Sequence, residues 1–555
     1  MESKLWHKNY DFSTPTSIRY PRIPVNELVN LASNALPNKA AFNIYGSEMT
    51  FWEVRLEVMR MANALAKLGI KKGDRVAVHL PNCPQYAVAY YAIMSLGAIV
   101  VNLNPMYTAE ELIAINNNTG TTAIFTFDMV LPNIKALAEG TDIKEFIVTR
   151  VTDYIEGFGV STAKDLELPE GWHHFSELLA SSTDTRPQRI DIDPDLPALI
   201  QFTGGTTGIP KGAILTHGNI IAATVQVNSW GDFLNDKTPP QERSVLAMLP
   251  FFHVYGDIVV LNWGMFNCAT QILVPRFDIE EIVNLLAGID RIQFYPAVPT
   301  MIGAILNHPK AEELELGKKF GLVNSGGAPC PLSLIERARD LGINISEGWG
   351  MSETTSVGVA NPNMGLKKKG SIGVPISDTD IKLVDPEDGV TEVKQGEPGE
   401  LIIKGPQVMQ GYWNNPEETA NQLKDGWLYS GDVAVQDEDG YLFIVDRTKD
   451  MIIASGYNIY PREIDEVLYR HPKVAEAVAV GVTDDYRGET IKVFVSLKPG
   501  QTATEEEIIE FCKDKLAPYK RPKLVEFRDE IPKSAVGKVL RKVLRAEEEE
   551  KRKKS

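Results

Sequence analysis

Cysteine is scarce. The four present, Cys83, Cys268, Cys330 and Cys512, are scattered through 555 residues with no Cys-x-x-Cys spacing. That excludes a disulfide framework and a cysteine-built zinc site, and it reads as reduced thiols in a cytoplasmic protein. Positive charge is also in deficit: 57 Lys and Arg stand against 74 Asp and Glu, a net charge of −17. This balance excludes a basic nucleic-acid footprint. An anionic ligand must then be met by a few cations gathered locally. Long hydrophobic runs are missing too. The longest, Ala87 to Val101, is interrupted by Ser95 and Gly97 and is too short to span a bilayer. It reads as a buried helix followed by a buried strand. The opening residues, Met-Glu-Ser-Lys-Leu-Trp-His, carry no signal-peptide core. There are no internal repeats.

What is present is alternation. Val25, Leu28, Leu31 and Ala32 give an amphipathic helix. Thr50-x-x-Glu53 is a capping box, and Val54, Val58, Met61, Leu65 and Leu68 continue it at helical spacing up to Gly69. Val76–Val78 is a strand, Pro84 opens a helix, Gly97 ends it, and Ala98–Leu103 is a strand again. Thr108-x-x-Glu111 caps the next helix, before strand Ala123–Phe125. Near-continuous apolar strands between helices predict a parallel sheet covered on both faces. From about 150 to 195 the chain is polar and irregular. From about 360 to 445 Gly, Pro and short β-runs dominate, predicting a small β-barrel. From 450 the pattern changes to an α+β mixture: a helix opening at Pro461, strands Val474–Val482 and Val493–Leu497, and a helix capped by Thr504-x-x-Glu507. The charge-dense stretch from Glu547 to Ser555 is expected to be a fraying helix or disordered.

The chain is organised around Phe202-Thr203-Gly204-Gly205-Thr206-Thr207-Gly208-Ile209-Pro210-Lys211-Gly212. Apolar Ala198-Leu199-Ile200 leads in as a buried strand. Glycines let backbone N–H groups approach an anion closely, and Thr hydroxyls and one ammonium complete a shell for a polyphosphate. A Walker A loop is excluded: Pro210 precedes Lys211, and Gly212-Ala213-Ile214-Leu215 reads as a second strand where that motif needs a helix. Read alone, the run could also be a Gly/Thr hairpin with a surface lysine.

The run resembles the signature of the adenylate-forming superfamily, which includes acyl-CoA synthetases and adenylation domains, with Gly204 where Ser is usual. Further motifs follow in the order that the resemblance requires. Leu249-Pro250-Phe251-Phe252-His253 resembles the acyl-pocket segment with its mobile His253; alone, His253 reads as a core histidine. Ser325-Gly326-Gly327-Ala328-Pro329 resembles the adenine-side loop. Glu347-Gly348-Trp349-Gly350-Met351-Ser352-Glu353 resembles Tyr-Gly-x-Thr-Glu, with Trp349 to stack on adenine, Ser352 to meet phosphate and Glu353 to hold Mg2+, aided by Thr207. Tyr429-Ser430-Gly431-Asp432 resembles Thr-Gly-Asp, making Asp432 the ribose clamp. Asp446-Arg447-Thr448-Lys449-Asp450 resembles the hinge motif, with Arg447 on nucleotide oxygens and Lys449 as pivot. Ser455-Gly456-Tyr457-Asn458-Ile459-Tyr460-Pro461-Arg462-Glu463-Ile464 resembles the segment that packs on the active site for thioester formation, with Gly456 to let pantetheine slide. Pro532-Lys533-Ser534-Ala535-Val536-Gly537-Lys538 resembles the motif carrying the catalytic lysine, Lys538. Read without that resemblance, these are turns, solvated charges and one more surface lysine.

The resemblance covers about residues 25 to 541. It implies an α/β fold with a large N-terminal domain (1–446) of two helix-covered sheet subdomains plus a small β-barrel (about 360–445), a hinge at 447–449, and a mobile α+β C-terminal domain (450–555). It implies a fatty-acid–CoA ligase using ATP, Mg2+ and coenzyme A, with Lys538, Glu353 and His253 as catalytic residues. Thr203, Gly204, Gly205, Thr206, Thr207, Gly208, Lys211, Gly326, Gly327, Ala328, Trp349, Gly350, Ser352, Asp432, Arg447 and Gly456 are the expected nucleotide and CoA contacts. An aryl- or medium-chain acid ligase, an enzyme loading a carrier protein, and a catalytically silent nucleotide-binding regulator are the alternatives. Peripheral membrane contact, and monomer against homodimer, stay open.

Overall fold

The computed structural model describes residues 4–155, 166–186, 190–203, 210–447, 449–454, 457–484, 488–534 and 539–554. Two large sheets make up most of the chain. The first has eight strands in the order Gly411–Tyr412, Gly212–Thr216, Pro197–Phe202, Ile99–Asn102, Arg75–Val78, Ala123–Phe127, Glu145–Thr149, His173–His174. It is parallel from Pro197–Phe202 onward and antiparallel at its other edge. The second has nine strands, with a parallel centre that includes Ser244–Ala247, Ile292–Ala297, Phe320–Ser325 and Ile345–Trp349.

The local signals act as read. Thr50 and Thr108 each form a reciprocal capping box, with Glu53 and Glu111. Pro84 opens the helix Pro84–Ser95, whose side chains are buried on every face. Such a helix has two apolar sides because it lies between the first sheet and the helix Phe51–Lys67. The 150–195 stretch holds a 3-10 turn, the strand His173–His174 and the short helix Phe175–Ala180. The stretch expected as a small barrel pairs as a five-stranded antiparallel sheet, with Asp380–Val384 and Leu423–Lys424 at its ends and Leu442–Arg447 paired beside Trp427–Gln436. The C-terminal domain has its own five-stranded sheet and its own core around Ile452, Ile464, Leu468 and Val493. The charge-dense end is helical from Arg541 to Lys554. All four cysteines are free, and three are buried. Among the described residues, no helix is long and apolar enough to cross a membrane.

Polar side chains bind the two large sheets together. Asn82 donates to the carbonyls of Ala247 and Leu249 at 2.9 and 2.8 Å and accepts from the Phe251 N–H at 2.8 Å. Asn102 donates to Gln201, which donates to the Phe252 carbonyl. The segment Leu249–His253 is thus held from the opposite sheet. Just beyond it, Asp257–Asn262 forms a π-helix, a wide turn that often marks functional sites. Asp257 is fully buried there. It accepts from Asn262 Nδ2 at 2.8 Å and from the Tyr90 hydroxyl at 3.2 Å.

Burial pushes the Asp257 carboxyl up to about 8. An unfolded Asp titrates near ~4. Between these values the folded chain holds a proton that the unfolded chain has lost, so stability falls as pH rises through that window and levels off above it. Asp257→Asn keeps an acceptor for Asn262 and has nothing to ionise. The variant is expected to melt above the parent protein, by a margin that widens from pH 5 to pH 8. Thermal melts at the two pH values check it; a margin independent of pH contradicts it.

Candidate active site

The hairpin expected around the phosphate loop is present. Pro197–Phe202 runs antiparallel to Gly212–Thr216, and the Thr203 N–H donates to the Lys211 carbonyl at 2.9 Å, closing the neck of the loop. A Cβ on Gly212 would stand 2.7 Å from Ile200, so the second strand must begin with glycine for the hairpin to close. Gly204, Gly205, Thr206, Thr207 and Gly208 lie outside the described residues, as do Gly456 and Lys538.

The loop's two ends border a cavity of about 1140 Å³. The structure brings Thr203, Lys211, His253, Gly326, Gly327, Ala328, Trp349, Gly350, Ser352, Glu353, Asp432, Arg447 and Lys449 to its wall. These residues come from both large sheets and the antiparallel sheet, and the C-terminal domain adds Lys533, Ser534 and Val539, which flank Lys538 in sequence. The loop Gly326–Ala328 needs its bare backbone: a Cβ on Gly326 would press the Tyr255 ring at 3.0 Å. That ring is held by its hydroxyl, which donates to Asn324 Oδ1 at 2.6 Å.

After the turn Ser352–Thr354 the chain takes two left-handed residues in succession, Thr355 at φ 47° and Ser356 at φ 82°. Non-glycine residues adopt this only where the surroundings impose it, commonly beside functional groups. Thr355 is pinned by its hydroxyl on the Gln407 carbonyl at 2.6 Å. The result is Glu353 facing the cavity wall, 6% exposed, with Oε1 accepting the Tyr412 hydroxyl at 2.7 Å. Burial raises the Glu353 carboxyl above its ordinary range, against the pull of that hydroxyl, Arg447 and Lys211.

Asp432 is 7% exposed and holds two partners. Trp349 Nε1 donates to Oδ2 at 2.8 Å, and Arg447, its cross-strand neighbour in register, places Nε 3.3 Å from Oδ1. Each carboxylate oxygen thus has one donor, and the group's orientation is fixed. Trp349, expected only to stack on a base, also aims this carboxylate; Phe has no donor and Tyr carries its donor at a different point. His253 caps the turn that follows it, with Nδ1 accepting the Tyr255 N–H at 3.2 Å. Lys449 sits at the turn before the C-terminal domain. Arg545, from the last helix, donates to the carbonyls of Lys449 and Asp450, both at 2.8 Å.

The sequence reading missed Tyr412 and Asn324. Arg462 lines the cavity and donates to the Ile444 carbonyl at 2.8 Å, joining the C-terminal domain to the antiparallel sheet. Tyr412 reaches Glu353 from 59 residues away, and no local pattern marks such a pair. The cavity wall also has an apolar branch, formed by Val227, Trp230, Gly231, Leu234, Val259 and Trp263.

Residues 31–413 match the model of the AMP-binding enzyme family, and residues 463–538 match that of the AMP-binding enzyme C-terminal domain. The chain belongs to the AMP-binding enzyme family. Among curated AMP-binding relatives, the long-chain-fatty-acid–CoA ligase of Bacillus subtilis is 39% identical, over 99% of this chain and 98% of its own. A feruloyl-CoA synthase of Amycolatopsis is 35% identical over 91% and 95%. Among solved structures, an anthranilate–CoA ligase in complex with anthranoyl-AMP superposes with a TM-score of 0.83 at 25% identity, covering 95% of this chain and 97% of the other. ATP-bound MatB from Rhodopseudomonas palustris gives 0.82 at 28%, covering 95% and 99%.

The donor set at the cavity suits a hard divalent ion held chiefly by nucleotide. Glu353 is one buried carboxylate facing the cavity with a neutral donor as its hydrogen-bond partner, and no cluster of three His, Cys, Asp or Glu side chains able to hold a metal exists among the described residues. Mg2+ keeps most of its waters and takes one or two carboxylates plus phosphate oxygens, which is what such a wall offers.

Proposed function

We propose that this AMP-binding enzyme is an AMP-forming acid–CoA ligase acting on a long-chain fatty acid, resident in the cytoplasm. One observation carries the reading: the wall of a single cavity includes both the polar Lys211, Glu353 and Asp432 and an apolar branch drawn from the helix His217–Trp230 and the π-helix. The curated relatives named long-chain-fatty-acid–CoA ligases support the choice of substrate.

In the first half-reaction the acid's carboxylate oxygen attacks the α-phosphorus of ATP. The α–β anhydride bond breaks, and pyrophosphate leaves with the bonding pair. The protein's part is positioning and charge neutralisation. Lys211 and the loop hold the terminal phosphates, Asp432 holds the ribose, and Arg447 lies against nucleotide oxygens. Glu353, with Thr207, would hold Mg2+, which offsets phosphate charge when bound. Lys538 bridges the α-phosphate and the carboxylate; the bordering Lys533, Ser534 and Val539 at the cavity wall support that placement. In the second half-reaction the C-terminal domain turns about Lys449, Gly456 replaces Lys538, and CoA thiolate attacks the acyl carbon and displaces AMP. Domain limits at 446 and 450 follow from the same reading.

The test is pyrophosphate release from MgATP against carboxylic acids from C2 to C18 plus benzoate, with and without CoA. Release that depends on a long-chain acid, with thioester only when CoA is present, supports the reading. A preference for benzoate makes the enzyme an aryl-acid ligase, and release without thioester makes it a carrier-protein loader.

Chain length has its own probe. Gly231 lines the apolar branch at φ −98°, an ordinary backbone angle, and a Cβ there meets nothing closer than 3.5 Å. Gly231→Leu therefore adds bulk to the branch without straining the backbone. The expected result is loss of activity on C16–C18 acids with retention on C6–C8 acids, read from the same panel. An unchanged chain-length profile contradicts the assignment of this branch to the acyl tail.

A further inference from the structure

Lys211, the cation at the neck of the phosphate loop, already has an anionic partner. Its Nζ is paired with Glu418 Oε1, and the two side chains are 28% and 24% exposed. It also lies 5.4 Å from the centroid of the Tyr412 ring, whose hydroxyl serves Glu353. The pair is not a chance meeting of two surface chains. Glu418 stands in the first turn of the helix Pro416–Gln422, where the Asn415 side chain accepts the Glu418 N–H at 3.1 Å. The segment leading into that helix is paired onto the strand that follows Lys211: Gly411 lies opposite Ile214 and Tyr412 opposite Ala213, and the Trp413 N–H donates to the Gly212 carbonyl at 2.8 Å. The Tyr412 N–H in turn donates to Thr419 Oγ1 at 2.9 Å. The frame that aims Glu418 is therefore built on the strand that aims Lys211.

We infer that Glu418 is the resident counter-ion of Lys211, displaced when a polyphosphate arrives and recovered when pyrophosphate leaves. The inference rests on the proposed role of Lys211 as a phosphate ligand. A carboxylate touching that ammonium is brought close to the terminal phosphates, and like charges at such range repel. A lysine ammonium is a compact point charge, which one carboxylate or one phosphate can engage with little difference in geometry. Exchange of one anion for the other lowers affinity for the triphosphate and eases departure of the diphosphate. Glu418 acts through Lys211 and is a positioning residue.

Glu418→Gln removes the charge and keeps the shape. Acid-dependent pyrophosphate release is expected to show a roughly three- to tenfold lower KM for MgATP, the scale of one partly screened charge. Added pyrophosphate should inhibit at correspondingly lower concentration. Thioester formation from supplied acyl-AMP, which involves no polyphosphate, should be unchanged. Glu417→Gln, one exposed residue away, removes an equal charge without the contact and should leave KM at the parent value. If the Gln variant does not fold, Glu418→Ala serves in its place. Combined with Lys211→Ala, Glu418→Gln should add nothing to the single Lys211 variant. A merely structural pair gives a KM for Glu418→Gln that is unchanged or raised, and that result overturns the inference. If Lys211→Ala itself leaves KM for MgATP unchanged, the role of Lys211 is what fails.

Discussion

Lys538→Ala is expected to slow adenylate formation from fatty acid and MgATP by roughly a hundred- to a thousandfold, while thioester formation from supplied acyl-AMP continues near the parent rate. In the proposed mechanism the charge that develops between the α-phosphate and the attacking carboxylate is met by one ammonium, and removing one preorganised charge of this kind costs about 3–4 kcal/mol, roughly a hundred- to a thousandfold in rate. The described residues on either side of Lys538 are anchored. Lys533 is paired with Glu476, and Arg541 with the buried Asp465, so the motif is tied at both ends to the C-terminal domain's own frame. Gly456→Phe is expected to do the reverse: pyrophosphate appears, acyl-AMP accumulates, and thioester does not. The two half-reactions measured separately on both variants give the result. Damage by both substitutions to the same step would rule out two alternating arrangements of one active site.

The second large effect is at Glu353. Glu353→Gln keeps the volume and an acceptor for the Tyr412 hydroxyl but cannot neutralise a divalent ion. Acid-dependent pyrophosphate release should fall by roughly a hundred- to a thousandfold and should not recover when Mg2+ is raised. Stability should move the other way. Burial holds the Glu353 carboxyl above its ordinary range, so its ionised form weakens the fold at neutral pH, and Gln relieves that cost. A melting temperature at or above the parent's, with activity lost, assigns the residue to function. Activity and melting temperature falling together would assign it to structure.

The elements that the sequence made legible are those whose causes are local. Thr50 with Glu53 and Thr108 with Glu111 are three residues apart, and Pro84 acts at its own helix start. The hairpin after Phe202 was readable because Pro210 and the apolar Gly212–Leu215 exclude a helix there. The cavity wall was legible for a related reason: its motifs sit on turns and strand ends, where unusual residues stand out. The missed features depend on partners far along the chain. Trp349 meets Asp432 across 83 residues, and Asp257 meets Tyr90 across 167. The π-helix at Asp257–Asn262 has the same apolar composition as an α-helix. Strands of two residues, such as Val359–Ala360 and Val374–Pro375, are too short for any period to show. They extend the nine-stranded sheet at one edge, inside the stretch that its glycines and prolines had marked as barrel.

The apolar branch, from Val227 to Trp263, comes from the middle of the chain, whereas Lys449, Arg462, Lys533 and Arg541, which line the same cavity, come from its last part. On the proposed reading, choice of acid and timing of the two chemical steps are written in separate stretches of the gene. A lineage can drift toward a new acid by changing the branch alone and keep its alternation between steps. Grafting the last hundred or so residues from a relative with a different acid preference should accordingly transfer pace without transferring taste.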